Sequence, residues 1–150
     1  MANIEISVDL TRFLHAIEEA TAIVGYGAKR GLHDVMDEWL IKSRDVAPLD
    51  KGTLRRGMNT DVKGQRIDLT GEINAVAIEV AKTGKWAGQR FNYAYYLHEV
   101  YPKKYGESFK NPTTPGNIPQ FLDKPAKENE DKWLKHIEKE IEKELKAKGW

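Results

Sequence analysis

At 150 residues the chain has room for one core of ordinary size, and two full domains would be cramped. Lys and Arg number 24 against 23 Asp and Glu, so a net charge of +1 supplies no global field to draw the chain onto a phosphate backbone. No cysteine is present, which removes disulfides, thiolate metal sites and cysteine nucleophiles together. No apolar run approaches the ~20 residues that span a bilayer, and Met1 to Leu10 lacks the basic and long apolar regions of a signal peptide. The expectation is a folded chain made and kept in the cytoplasm, away from membranes.

Ile4, Ile6 and Val8 alternate as an edge strand would, and Asp9 is placed to cap a following helix. Apolar residues then take helical spacing at Leu10, Phe13, Leu14, Ile17, Thr21 and Val24, and the stripe resumes at Ala28, Leu32, Val35, Trp39 and Val46. Gly25, Gly27 and Gly31 interrupt it. Each costs roughly 1 kcal/mol in a helix interior, which predicts a hinge between two nearly coaxial helices. Unbroken from Leu10 to Val46, such a helix would be about 55 Å long, too long for a small domain to cover, so part of it should face a neighbour. Ala47-Pro48 ends the helix, and Asp50-Lys51-Gly52-Thr53 is a tight turn.

The period then changes to two. Ile67, Leu69, Gly71 and Ile73, then Val76, Ile78 and Val80, alternate with polar or small residues. With Arg56 to Val62 they predict an antiparallel sheet of three to four strands, with a hairpin loop at Lys63-Gly64-Gln65 and a longer, mobile excursion at Thr83 to Gly88. Phe91 to Tyr101 is crowded with aromatics, and residues 102–119, rich in Pro, Gly, Lys and Asn, form an expected mobile loop. A charged helix over 124–148 follows, with a narrow apolar stripe at Trp133, Leu134, Ile137, Ile141 and Leu145, and i, i+4 pairs Glu128/Lys132, Glu142/Lys146 and Glu144/Lys148. The fold class is α+β: one domain over 1–150, with a long kinked N-terminal helix and a C-terminal helix packed on a small antiparallel sheet.

Few residues offer chemistry. Histidines at 15, 33, 98 and 136 are widely separated, without the short spacing of a helical zinc site, so no metal site is expected. His98-Glu99 beside Tyr95 and Tyr96 would serve acid/base chemistry if a second carboxylate converged on it; a hydrogen-bonded histidine in an aromatic cluster is the plainer reading. Lys51, Arg55, Arg56 and Lys63 gather charge around the turn, a patch that would suit DNA in a channel, although a solvated surface or a subunit salt bridge is the plainer reading. Tyr93, Tyr95, Tyr96 and Tyr101 have no basic groove beside them for stacking on single strands, and are expected at a protein interface together with His98, Glu99 and Phe121.

At Ser43 to Arg56, SRDVAPLDKGTLRR, the chain resembles the head-tail joining and minor capsid proteins of long-tailed bacteriophages. Ala47, Pro48, Leu49, Asp50, Gly52, Leu54 and Arg55 match that family's turn motif, whereas Lys51 stands where the family usually has threonine. YAYYLHE, Tyr93 to Glu99, and IPQFLDKPA, Ile118 to Ala126, match two further elements in order and spacing, so that the resemblance covers roughly Leu32 to Trp133. The resemblance implies an α+β virion neck component that forms a ring, joins a DNA-filled head to a tail, uses no cofactor and catalyses nothing. Its implied partners are further copies of itself, head completion or connector proteins and tail terminator proteins, with non-specific contact to DNA in the channel. The same turn residues are explained without any family: proline stops the helix, aspartate caps the turn, and glycine permits the reversal into the first strand. Two rivals remain beside it, a hydrolase or nuclease centred on His98 and Glu99, and a regulatory partner binding through the Lys/Glu helix.

Overall fold

The computed structural model describes residues 7, 9–49, 52–112 and 114–150. The expected strand at Ile4 to Val8, and Asp50 and Lys51 of the turn, lie outside these residues. Helix α1 runs uninterrupted over Thr11–Val46, 36 residues. Asp9 accepts the Thr11 amide hydrogen at 2.9 Å, together with the Thr11 hydroxyl, and these two bonds hold its carboxyl below the usual range. Ala47, in an extended conformation before Pro48, closes the far end.

The three glycines form no hinge. All are buried inside α1, where a Cβ on Gly25 would stand 2.7 Å from the Arg66 backbone and one on Gly27 2.7 Å from the Glu140 carbonyl oxygen and Ile141 Cα. At Gly31 the clash would be with Ile137 Cα at 2.9 Å. Missing side chains here let a hairpin and a second helix approach to backbone contact. The dispersion contacts so gained offset the glycines' poor helix propensity, which is the only term visible in an isolated segment.

A short helix α2, Thr53–Arg56, leads into β1, Met58–Gln65, which pairs antiparallel with β2, Asp68–Ala75. Strand β3, Ile78–Val80, pairs with β4, Arg90–Asn92. Among the described residues the strands therefore form two separate two-stranded ribbons where a single sheet was expected. An isolated ribbon is marginal in water, and the first is supported by lying along α1. Gln65 faces Asp68, so the turn falls at Arg66 and Ile67, with Arg66 at φ 54°, and not at Lys63 to Gln65. A two-residue hairpin turn needs positive φ, and Ile67 is left exposed at the tip instead of facing the core.

Asn92 then starts a helical segment by accepting the Ala94 amide hydrogen: α3 at Tyr93–Tyr95, a π-helical turn at Tyr96–Val100, and α4 at Tyr101–Tyr105. The loop beyond α4 is tied down, since Phe109 packs on the core and the Ile118 N–H donates to the Val46 carbonyl at 2.9 Å. Helix α5, Asp123–Ala147, returns antiparallel to α1, placing Ile141 beside Gly27 and Ile137 beside Gly31. Trp39 and Trp133 meet with ring centroids 5.9 Å apart, and each indole N–H is satisfied, by the Leu122 carbonyl and the Glu38 carboxylate respectively. The main core gathers Ala47, Leu54, Met58, Ala77, Ala94, Leu97 and Phe121 at the C-terminal end of α1.

Candidate subunit interface

The Ala47 to Arg55 turn is held from within. Gly52 has φ 73°, a left-handed conformation that favours glycine, and its carbonyl accepts the Arg56 N–H at 3.0 Å. Arg55 Nε donates to the Ala47 carbonyl at 2.9 Å, and Arg44 donates to the carbonyls of Arg55 and Met58 at 3.1 and 2.9 Å. Two guanidinium groups thus satisfy carbonyls at the end of α1, in the short α2 and at the start of β1. Ala47, Pro48 and Leu54 are buried, so what this motif does is join α1 to β1. Lys63 pairs with Glu72 at 3.0 Å on the exposed face of the β1–β2 hairpin, so it does not join Arg55 and Arg56 at the turn.

The aromatic segment divides. Phe121, expected at an interface, is completely buried, and Leu97 and Ala94 join it in the core. Tyr93, Tyr96 and Tyr101 are half-buried against that core, and Tyr101 packs on Tyr105 and Phe109, each at 5.0 Å between centroids. Tyr95, 62% exposed, and Glu99 face outward.

His98 does meet a second carboxylate. Its Nδ1 lies 2.8 Å from Glu99 Oε1, its Nε2 lies 3.6 Å from Asp123 Oδ1, and the Asp123 backbone N–H donates to Nε2 at 3.4 Å. Both nitrogens are satisfied by a neutral ring with its proton on Nδ1. Phe121 covers the ring edge-to-face at 5.3 Å, and His98 is only 8% exposed. The π turn that carries it arises where Tyr101 N–H bonds Tyr96 O, five residues back, just before Pro102, which has no N–H to give. The cavity lined by Tyr93, Tyr96, Leu97 and Tyr101 does not include His98, so a substrate would have no open approach to it from there.

A second polar group bridges α1 and α5. Ligand atoms of Asp34, His136 and Glu140 lie within 4.8 Å of one another, but His136 Nε2 is bonded to Asp34 at 2.8 Å and Arg30 Nε donates to Glu140 at 2.7 Å. The trio is satisfied by protein partners alone. Nearby, Lys132 pairs with Glu38 at 2.7 Å, and Arg30 reaches Glu144 at 3.1 Å, so one member of each of two expected intrahelical pairs is used across the helix seam. Only Glu142 with Lys146, at 2.9 Å, forms as the spacing predicted. Hydrogen bonding from Lys132 holds the Glu38 carboxyl below its usual range, and from Arg30 the Glu140 carboxyl.

What the sequence reading placed least well is the exposed apolar surface. Leu10, Phe13, Leu14 and Ile17 are all exposed, with Phe13 at 60% and Leu14 at 58%. The second patch is a groove of about 410 Å³ where the β3–β4 ribbon meets α3, lined by Trp86, Phe91, Tyr93 and Tyr96 with Ala81 and Thr83. The loop forming its rim is closed by Ala81 N–H to Gln89 O and Gly88 N–H to Ala81 O, at 2.9 and 2.7 Å. Comparison with protein families, with characterised proteins and with solved structures finds no match to this chain. Among the described residues no helix is long and apolar enough to cross a membrane, so the exposed apolar side chains do not form a bilayer span. Lys85 Nζ sits 4.8 Å over the Trp86 ring, which leaves the groove apolar within and cationic at its edge. Such a surface is complementary in shape and charge to an apolar side chain flanked by a carboxylate. The signal for it in the sequence was Trp86 alone in a glycine-rich loop, where an exposed indole has no folding role.

Proposed function

We propose that this chain is a structural assembly component, acting by binding further protein subunits, and specifically a bacteriophage or prophage neck protein that forms a ring joining the DNA-filled head to the tail. The observation that carries the binding role is exposed apolar surface, above all a bare helical stripe and an aromatic groove. The neck assignment adds the resemblance at Ala47 to Arg55, Tyr93 to Glu99 and Ile118 to Ala126. Expected partners are further copies, head completion or connector proteins and tail terminator proteins, met in the virion neck after assembly in the host cytoplasm. Electron microscopy of particles made without the protein tests this: filled heads lying apart from finished tails are expected, and complete particles would overturn it.

The rival hydrolytic reading rests on His98 between Glu99 and Asp123. A general base needs one free nitrogen facing a substrate, and here Phe121 and two hydrogen bonds occupy the ring. A phosphodiesterase or esterase activity abolished by His98→Ala, with the fold intact, would reverse this ranking.

A further inference from the structure

We propose that the projecting start of α1 docks, through Leu10, Phe13, Leu14 and Ile17, into the groove lined by Trp86, Phe91, Tyr93 and Tyr96 on a second copy of this chain. The inference rests on the assembly reading above and specifies the contact. Helix α5 touches α1 at Gly27 through Ile141, and its remaining turns reach back to about Thr21. Residues Thr11 to Glu19 therefore stand clear of both α5 and the hairpin, an overhang of roughly 12 Å at 1.5 Å per residue. The four side chains take i, i+3, i+4 and i+7 positions, the spacing by which a helix lies in an apolar groove.

The groove cannot be filled by the arm of its own chain. Tyr93 and Tyr96 pack on the cluster containing Ala47, just past the C-terminal end of α1, while the arm is the other end of the same 36-residue helix. Roughly 50 Å of continuous helix separates them. Any such docking is consequently between molecules and head-to-tail, leaving each copy with one free arm and one free groove; repeated, it closes a ring or extends a filament. Charge agrees with it. Between Ala81 and Phe91 the rim carries Lys82, Lys85 and Arg90 and no carboxylate, whereas the arm places Glu18 beside Ile17, with Glu19 following and only Arg12 opposing. Pairing of two arms would bury little beyond four side chains from each copy, at the low end of specific interfaces below ~1,200 Å², and would leave the groove's aromatic residues uncovered.

The absence of native cysteines allows a direct test on the full chain. Ile17→Cys and Thr83→Cys variants, mixed and treated with a short thiol-to-thiol cross-linker, are expected to give chiefly a 17-to-83 heterodimer. Adding Phe13→Asp to the first, or Trp86→Ala to the second, is expected to lower that yield about tenfold or more, since buried aromatic anchors carry most of such an interface. Both substitutions fall on exposed residues, and circular dichroism checks that each variant is folded. A 17-to-17 product in excess, a yield indifferent to both substitutions, or no cross-link at the solubility limit would each overturn the docking. If the cross-link is absent yet heads and tails still require the protein to join, the docking alone fails. If the cross-link forms but particles are complete without the protein, the neck role fails and self-association stands.

Discussion

The two ends of α1 share one apolar spacing and meet opposite fates. From Ile23 onward the stripe is covered by α5 and the β1–β2 ribbon, and Val35 and Met36 are buried; from Leu10 to Ile17 it is bare. Periodicity reports which face of a helix repays burial, but not whether the covering surface belongs to the same molecule. The difference lies in the glycines. Gly25, Gly27 and Gly31 admit neighbouring backbones at close range, and the N-terminal arm, with no glycine between Leu10 and Ile17, has no such seat for a partner element of its own chain.

The comparison breaks most severely in the covered half. Trp133→Ala removes the indole wedged between Trp39 and Glu38 and is expected to cost about 3–5 kcal/mol in urea unfolding. Gly27→Val should cost about 1–3 kcal/mol, although helix propensity alone predicts a gain of a few tenths. A stabilised Gly27→Val variant would show that the glycine is a propensity defect after all. Acid should loosen the same seam. The carboxyls of Glu38 and Glu140 are depressed by Lys132 and Arg30 in the folded chain, so the stability they contribute is complete above their unfolded value of about 4.5 and is lost as pH falls through the lower folded values. Thermal melting points are expected to be flat from pH 7 to about pH 5 and to drop below that, less steeply in Glu38→Gln. The smallest effect belongs to the bare half: Phe13→Ala should change the stability of the isolated chain by no more than about 0.5 kcal/mol. A larger loss would mean that the arm is packed within its own chain.

Much of the molecule was legible beforehand, in proportion to how local its causes are. The α+β class, the long first helix, its end at Ala47-Pro48 and a last helix over Asp123–Ala147 follow from period and from proline chemistry that acts within a few residues. The hinge, the single sheet and the turn at Lys63 to Gln65 did not form as expected, because each depended on what another segment does. Glycine costs something only until a neighbour fills the space; strands of suitable pattern do not say which of them pair; and the register of a hairpin follows its turn, which falls at Arg66 and Ile67 although Gly64 also has a positive φ. Among the candidate site residues, Phe121 looked like an interface aromatic because its depth cannot be read from its neighbours, and Asp123 came to His98 from 25 residues away.

The order of amino acids by itself determined the elements of this protein and the turn that links its long helix to its first ribbon, since hydrogen bonding, proline geometry and apolar spacing act over one or two turns of chain. Only the tertiary structure decided which apolar residues the chain keeps for itself. Covering a face requires a second surface of matching shape, and along α1 that surface reaches back to about Thr21, leaving Leu10, Phe13, Leu14 and Ile17 in the open.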